Sequence, residues 1–218
     1  MTTRTHVYAD ISGEPTLVGV AIFDPAVRRR AGVSTTFTYD ETWLQRPGCY
    51  AIDPALSLFG RSTTVAGLPD CFQDCSPDRW GRNLITKRLR TLALRDESKP
   101  RDLTDVDYLL GVSDETRQGA LRLRSGTQGP FLDPGREVPK LIELPRLLAA
   151  ADALERDPDD QSALKNLLDA GSGSLGGARP KASVRDGDRL MIAKFPHRDD
   201  TWDVMAWEAT ALDLAEAA

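Results

Sequence analysis

The chain has 218 residues, of which 40% are hydrophobic and 28% charged, with a formal net charge of −5. That length and apolar content suffice for one core or two small ones and exclude the disordered class. The acidic balance argues against nucleic-acid binding by the chain alone, because affinity for phosphate backbones rests on clustered Lys and Arg. The amino terminus lacks the charged-then-apolar pattern of an export signal. No run of about 18 apolar residues and no lipidation signal occurs, so a cytoplasmic location without membrane contact is expected. Cys49, Cys71 and Cys75 are odd in number, and the C-x-x-x-C pair has no nearby histidine or second pair to complete a zinc site. They read as free thiols, and no metal site built from protein ligands is expected. Neither His6 nor His197 has around it the serine or cysteine motif that a nucleophilic triad requires.

In chain order, HVYADI, TLVGVAIFD and VSTTFTYD combine β-branched and aromatic residues, separated by breaks at Gly13-Glu14-Pro15 and at Gly32. This predicts a small antiparallel sheet. Arg28-Arg29-Arg30 is too short to interpret, and WLQRPGCYAI is irregular. Ser76-Pro77-Asp78 supplies a cap and a proline for a helix over residues 78–94. Arg79, Arg82, Lys87, Arg88, Arg90, Arg95, Lys99 and Arg101 face only Asp96 and Glu97 in this segment, a surface suited to an acidic partner. The plainer reading, a solvated face over buried Leu84, Ile85, Leu89 and Leu92, is the favoured one. Residues 102–110 read as a short helix ending at Gly111, and GALRLRSG as a strand feeding the sheet of a second lobe, which places the boundary near residue 105. After the loop-like run 126–139, LPRLLAAADALERD sets Leu144, Leu147, Leu148, Ala151 and Leu154 at helical spacing. SALKNLLDA does the same with Ala163, Leu164, Leu167 and Leu168. No internal repeat is present.

Residues 171–194, GSGSLGGARPKASVRDGDRLMIAK, carry the chemistry. Gly171, Gly173, Gly176 and Gly177 form a loop in which backbone N–H groups can approach phosphate oxygens without an intervening side chain. The frame Gly171-x-Gly173-x-x-Gly176 fits a dinucleotide fingerprint, but that motif needs a strand before it and a helix after it. Here a helix precedes and Pro180 opens a strand. A P-loop is excluded as well, since the G-x-x-x-x-G-K frame is not completed. Asp186-Gly187 between KASVR and DRLMIAKF marks a hairpin turn. On its second strand Leu190, Ile192 and Lys194 share one face. WDVMAWEATALDLAEAA reads as a helix with Val204, Glu208, Ala211, Leu212 and Ala215 on one apolar, core-facing stripe. A carboxylate on such a stripe is costly unless paired, and the nearest inward cation is Lys194. A strand lysine held by a helix glutamate is the arrangement of protein kinases, where the lysine neutralises nucleotide phosphates. The plain alternatives are a flexible glycine linker and solvated surface charges.

SLGGARPKA, followed by IAKFP and a helix with an inward glutamate, resembles the HipA-like serine/threonine kinases of type II toxin-antitoxin systems. The resemblance extends to YAIDPALSLFG, GLPDCFQDCSPDRWGRNLI and DVDYLLGVSDETRQGALRLR, which are similar to the family's amino-terminal subdomain and its junction with the kinase core. It implies an α+β fold: a small, mostly antiparallel-sheet subdomain over residues 1–105, then a kinase-like ATP-binding lobe of glycine-rich loop, β-hairpin and helix over 106–218. It implies ATP and Mg2+ as cofactors, held by Gly171, Gly173, Ser174, Leu175, Gly176, Gly177, Ala178, Lys181 and Lys194. Lys194 and Glu208 take the catalytic roles, and Ser174 is the autophosphorylation site, with Ser172 second. A phosphate on Ser174 would add about two negative charges to a loop built to receive phosphates, and so inactivate it. The implied partners are a protein substrate related to translation and a HipB-like DNA-binding antitoxin, through which DNA is reached indirectly. In kinases the aspartate base, the catalytic asparagine and the metal-binding aspartate follow the lysine and glutamate in chain order. Ten residues follow Glu208 here. The second lobe is thus outside this sequence, and little kinase activity is expected of the chain alone. The rival class is a catalytically incomplete interaction module that binds an antitoxin or a separate kinase chain.

Overall fold

The structure, a computed structural model, describes residues 2–25, 32–132 and 138–218. The Arg28-Arg29-Arg30 run and part of the 126–139 loop lie outside the described residues. The strands are β1 (Thr3–Ile11), β2 (Glu14–Pro25), β3 (Val33–Tyr39), β4 (Thr63–Ala66), β5 (Leu121–Arg124), β6 (Lys181–Asp186) and β7 (Arg189–Lys194). The helices are α1 (Glu41–Leu44), α2 (Asp70–Gln73), α3 (Arg79–Arg95), α4 (Asp105–Leu110), α5 (Leu144–Arg156), α6 (Gln161–Asp169) and α7 (Val204–Ala217). This is the expected α+β fold. The chain forms two compact units, Met1–Pro77 with Lys99–Gly135 and Asp78–Ser98 with Arg136–Ala218. None of the helices among the described residues is long and apolar enough to cross a membrane.

The first unit is an antiparallel sheet in the order β4-β3-β2-β1-β5. Its β1–β2 turn places Ser12 and Gly13 in the left-handed region, φ 57° and 88°, the geometry that matches the twist of two-residue hairpins. The Asp10 carboxylate accepts from the Gly13 amide at 2.8 Å. Alternation along the strands sends Val7, Ala9, Ala21, Phe23, Phe37, Leu121 and Leu123 into one core, where Trp43, Phe72 and Leu109 from the short helices join them. Trp43 keeps its indole N–H satisfied on the Tyr50 carbonyl at 3.1 Å. The buried Arg117 donates to the carbonyls of Leu109, Val112 and Cys75, so its charge replaces water with three fixed acceptors.

Two expectations about organisation are corrected here. The strand in GALRLRSG exists as β5, but it pairs with β1 at the edge of the first sheet instead of feeding the second unit. Helix α3, expected with the amino-terminal subdomain, packs in the second unit through Leu84. The chain therefore passes between the units three times, where a single boundary near residue 105 was expected. Periodicity identifies a strand or a helix face, but it carries no information on which distant element covers it.

In the second unit α3, α5 and α6 bury Leu84, Leu147, Ala151, Leu154, Leu164 and Leu167 together with Ala182 and Val184 of β6. Helix α6 starts at Asp160, whose carboxylate accepts from the Ala163 amide at 2.9 Å. The hairpin β6–β7 runs from the Asp186↔Arg189 pair at its turn to the Lys181↔Lys194 pair at its open end. The outer edge of β6 is covered, with the Ser183 amide on the Ala170 carbonyl at 3.1 Å and the Arg185 amide on the Pro139 carbonyl at 2.8 Å. Ala182, Val184, Met191 and Ala193 face the core, whereas Leu190 and Ile192 on the opposite face are about half exposed, at 48% and 51%. Helix α7 buries none of its residues. Its apolar stripe predicts a core-facing side, yet Leu212 on that stripe is 65% exposed, and Trp207 of the same helix is 68% exposed. The spacing reports which residues share a face of a helix, not whether anything lies against that face.

Candidate functional site

Helix α6 hands the chain to the glycine loop through Gly171, whose φ of 68° is the left-handed conformation that commonly ends a helix. A 3-10 turn, Ser172–Ser174, follows and is fully buried. The Ser172 hydroxyl donates to the Lys181 carbonyl at 2.5 Å. A Cβ at Gly173 would sit 3.3 Å from Leu168 and 3.7 Å from Ile85, so this half of the loop is a packed plug. Leu175 is buried too, and exposure begins at Gly176, with Gly177 and Ala178 open. Gly177 has φ 83°, and a Cβ there would lie 2.7 Å from the Lys181 ammonium. The left-handed φ favours glycine at this position, and a Cβ would also make the end of the Lys181 side chain shift.

Lys181 is only 8% exposed and donates from Nζ to the Gly176 carbonyl. Burial pushes its ammonium below the ordinary lysine range, the nearby Lys194 charge adds to this, and Asp78 opposes it. Lys194 stands opposite Lys181 in the hairpin, and its Nζ donates to Glu208 Oε1 on α7. Both members of that ion pair are partly open to solvent, 45% and 34%. The connection from β7 to α7 is anchored by Arg179, which pairs with Asp200 at 2.6 Å, while Asp200 also accepts from the His197 amide at 3.0 Å. These donors hold the Asp200 carboxyl well down, at about 2. The Ser183 hydroxyl is buried without a hydrogen-bond partner, on the same face of β6 as Lys181.

The structure therefore brings Lys194 and Glu208 together and sets Lys181 beneath Gly176 and Gly177. Gly171, Gly173, Ser174 and Leu175 are instead built into the fold. The exposed loop backbone at Gly177 and Ala178, beside two ammonium groups, forms a setting able to hold an anion. Sequence reasoning missed Asp78 and Trp80. Asp78 occupies the cap position of α3 but makes no side-chain cap bond; its Oδ2 accepts from the Gly177 amide at 2.7 Å. The Trp80 amide donates to the Gly177 carbonyl at 3.0 Å. The Ser-Pro-Asp signal read as a helix start contains no indication of a partner 99 residues away.

Among the described residues no group of three or more His, Cys, Asp or Glu side chains could hold a metal ion. Cys49, Cys71 and Cys75 are free thiols, and burial pushes Cys71 and Cys75 up, away from the reactive thiolate. Residues 25–109 match the family model described as HipA N-terminal domain, which supports a HipA-like protein. No curated protein matches the chain.

Proposed function

We propose that this HipA-like chain is the ATP-binding portion of a serine/threonine protein kinase acting as the toxin of a toxin-antitoxin system. The observation that carries the reading is the Lys194–Glu208 ion pair, with Lys194 directly opposite Lys181 in the hairpin and Lys181 donating to the Gly176 carbonyl beside the exposed Gly177 and Ala178. Lys194 would place its charge on nucleotide phosphates, with Glu208 fixing its position. Lys181 and the loop amides would take further phosphate oxygens. ATP, bound with Mg2+, supplies the phosphoryl group for protein hydroxyls. The reading is supported by the left-handed Gly177, which leaves the loop backbone beside the Lys181 ammonium without a side chain. Ser174 remains the proposed autophosphorylation site. It is 3% exposed, so modification requires the loop to leave its seat, and the added charge would keep it from returning. A HipB-like antitoxin, DNA reached only through it, a protein substrate and a cytoplasmic setting complete the proposal.

Calorimetry with ATP, with and without Mg2+, on the wild-type chain and on Lys194→Ala tests it, with intact mass reporting any phosphate on Ser174. Magnesium-dependent binding that Lys194→Ala abolishes is expected. Equal binding by both proteins would sink the reading. A second reading, a non-catalytic module that binds an antitoxin or a separate kinase chain, is favoured by the open α7 region, where Trp202, Trp207, Leu212 and Leu214 are all more than 60% exposed. Antitoxin capture by a chain that binds no ATP would select it.

A further inference from the structure

We infer that Asp78 is an internal anion for the glycine loop: its carboxylate holds the Gly177 amide that a phosphate oxygen would take, and nucleotide binds by displacing it. This rests on the nucleotide reading of the loop. Gly177 is docked at two points on the first turn of α3, through its N–H on Asp78 Oδ2 at 2.7 Å and its C=O on the Trp80 amide at 3.0 Å. Asp78 is solvent-exposed, and nothing about burial forces its carboxylate toward the loop. An aspartate at a helix cap ordinarily accepts from an amide of its own first turn. Asp78 makes no such bond and spends its acceptor on a residue 99 positions later in the chain.

Its surroundings are those of a phosphate oxygen. The Gly177 amide donates to it, and its charge is felt by Lys181, whose ammonium lies under the same two glycines. An incoming phosphate meets a negative charge already seated on the open part of the loop. A site that is competent only when the carboxylate has moved aside has its apparent affinity reduced by the competent fraction. Asp78 thus acts as a positioning residue: it holds the loop in shape while nothing is bound, and it raises the ligand concentration needed for entry.

The test compares wild type, Asp78→Ala and Asp78→Asn by ATP calorimetry in Mg2+ and by hydrogen exchange of the peptide spanning residues 171–181. Circular dichroism serves as the folding control. Asp78→Ala is expected to bind ATP about tenfold more tightly and to exchange faster around Gly177. Asp78→Asn, which keeps a neutral acceptor, should fall between, and it carries the test alone if the alanine variant does not fold. Weaker or unchanged ATP binding in these variants, with normal binding by wild type, overturns the inference while leaving the nucleotide reading in place. Absence of ATP binding in every variant removes both. Unchanged exchange around Gly177 removes the contact itself.

Discussion

The five-stranded sheet of the first unit and the two-stranded hairpin of the second are built on the same alternation of side chains, and they use it differently. In the sheet the inward positions include the large rings of Phe23 and Phe37, which meet Phe72 of α2 and close the space between strands and helices. In the hairpin the inward positions, Ala182, Val184, Met191 and Ala193, include no aromatic ring, and the opposite face carries Lys181, Ser183 and Lys194. Alternation specifies two faces. Side-chain size then makes the sheet a source of stability, whereas charge and backbone geometry make the hairpin a place for chemistry.

That contrast can be broken by substitution. Phe72→Ala, at a fully buried ring in edge contact with Phe23, should destabilise the fold by about 3–5 kcal/mol, read from the midpoint of urea unfolding. Gly177→Ala should come next, at about 1–2 kcal/mol, because it forces a side chain into the left-handed region and against Lys181; thermal melting measures it. Lys194→Ala should lower stability by at most about 1 kcal/mol, since its ion pair is partly solvated, while removing nucleotide binding. A loss as large as that of Phe72→Ala would erase the distinction between the two regions. The smallest effect concerns pH. The depressed Asp200 carboxyl contributes stability that is full above the unfolded value of about 3.9 and is lost as pH falls through about 2. Melting temperatures between those limits should therefore fall less steeply in Asp200→Asn than in wild type.

Much of this could be read from residue order. Gly13 and Asp186-Gly187 marked two hairpin turns, and the Lys194–Glu208 pair was expected, although the core-facing stripe from which it was argued is exposed. What escaped was long-range pairing. Leu121 and Leu123 announce a strand, but only the packed core shows that their partner is β1. Composition likewise does not distinguish Gly173, pressed against Leu168 and Ile85, from Gly177, which is open to solvent. Asp78 was hidden because a cap residue and a loop contact are written with the same letter.

Lys181 and Lys194 face each other across an antiparallel pair, a placement in which like charges repel. Glu208 answers one of these charges by direct contact, whereas the other has a neutral carbonyl, that of Gly176, as its contact and the Asp78 carboxylate only at longer range. The open end of the hairpin is therefore held together against an electrostatic imbalance that any bound polyanion would relieve. Heat resistance of the second unit should rise with pyrophosphate at constant ionic strength, by mass action on the folded state. The melting curve of the free chain becomes a gauge of anion occupancy that needs no turnover, no substrate and no knowledge of the reaction.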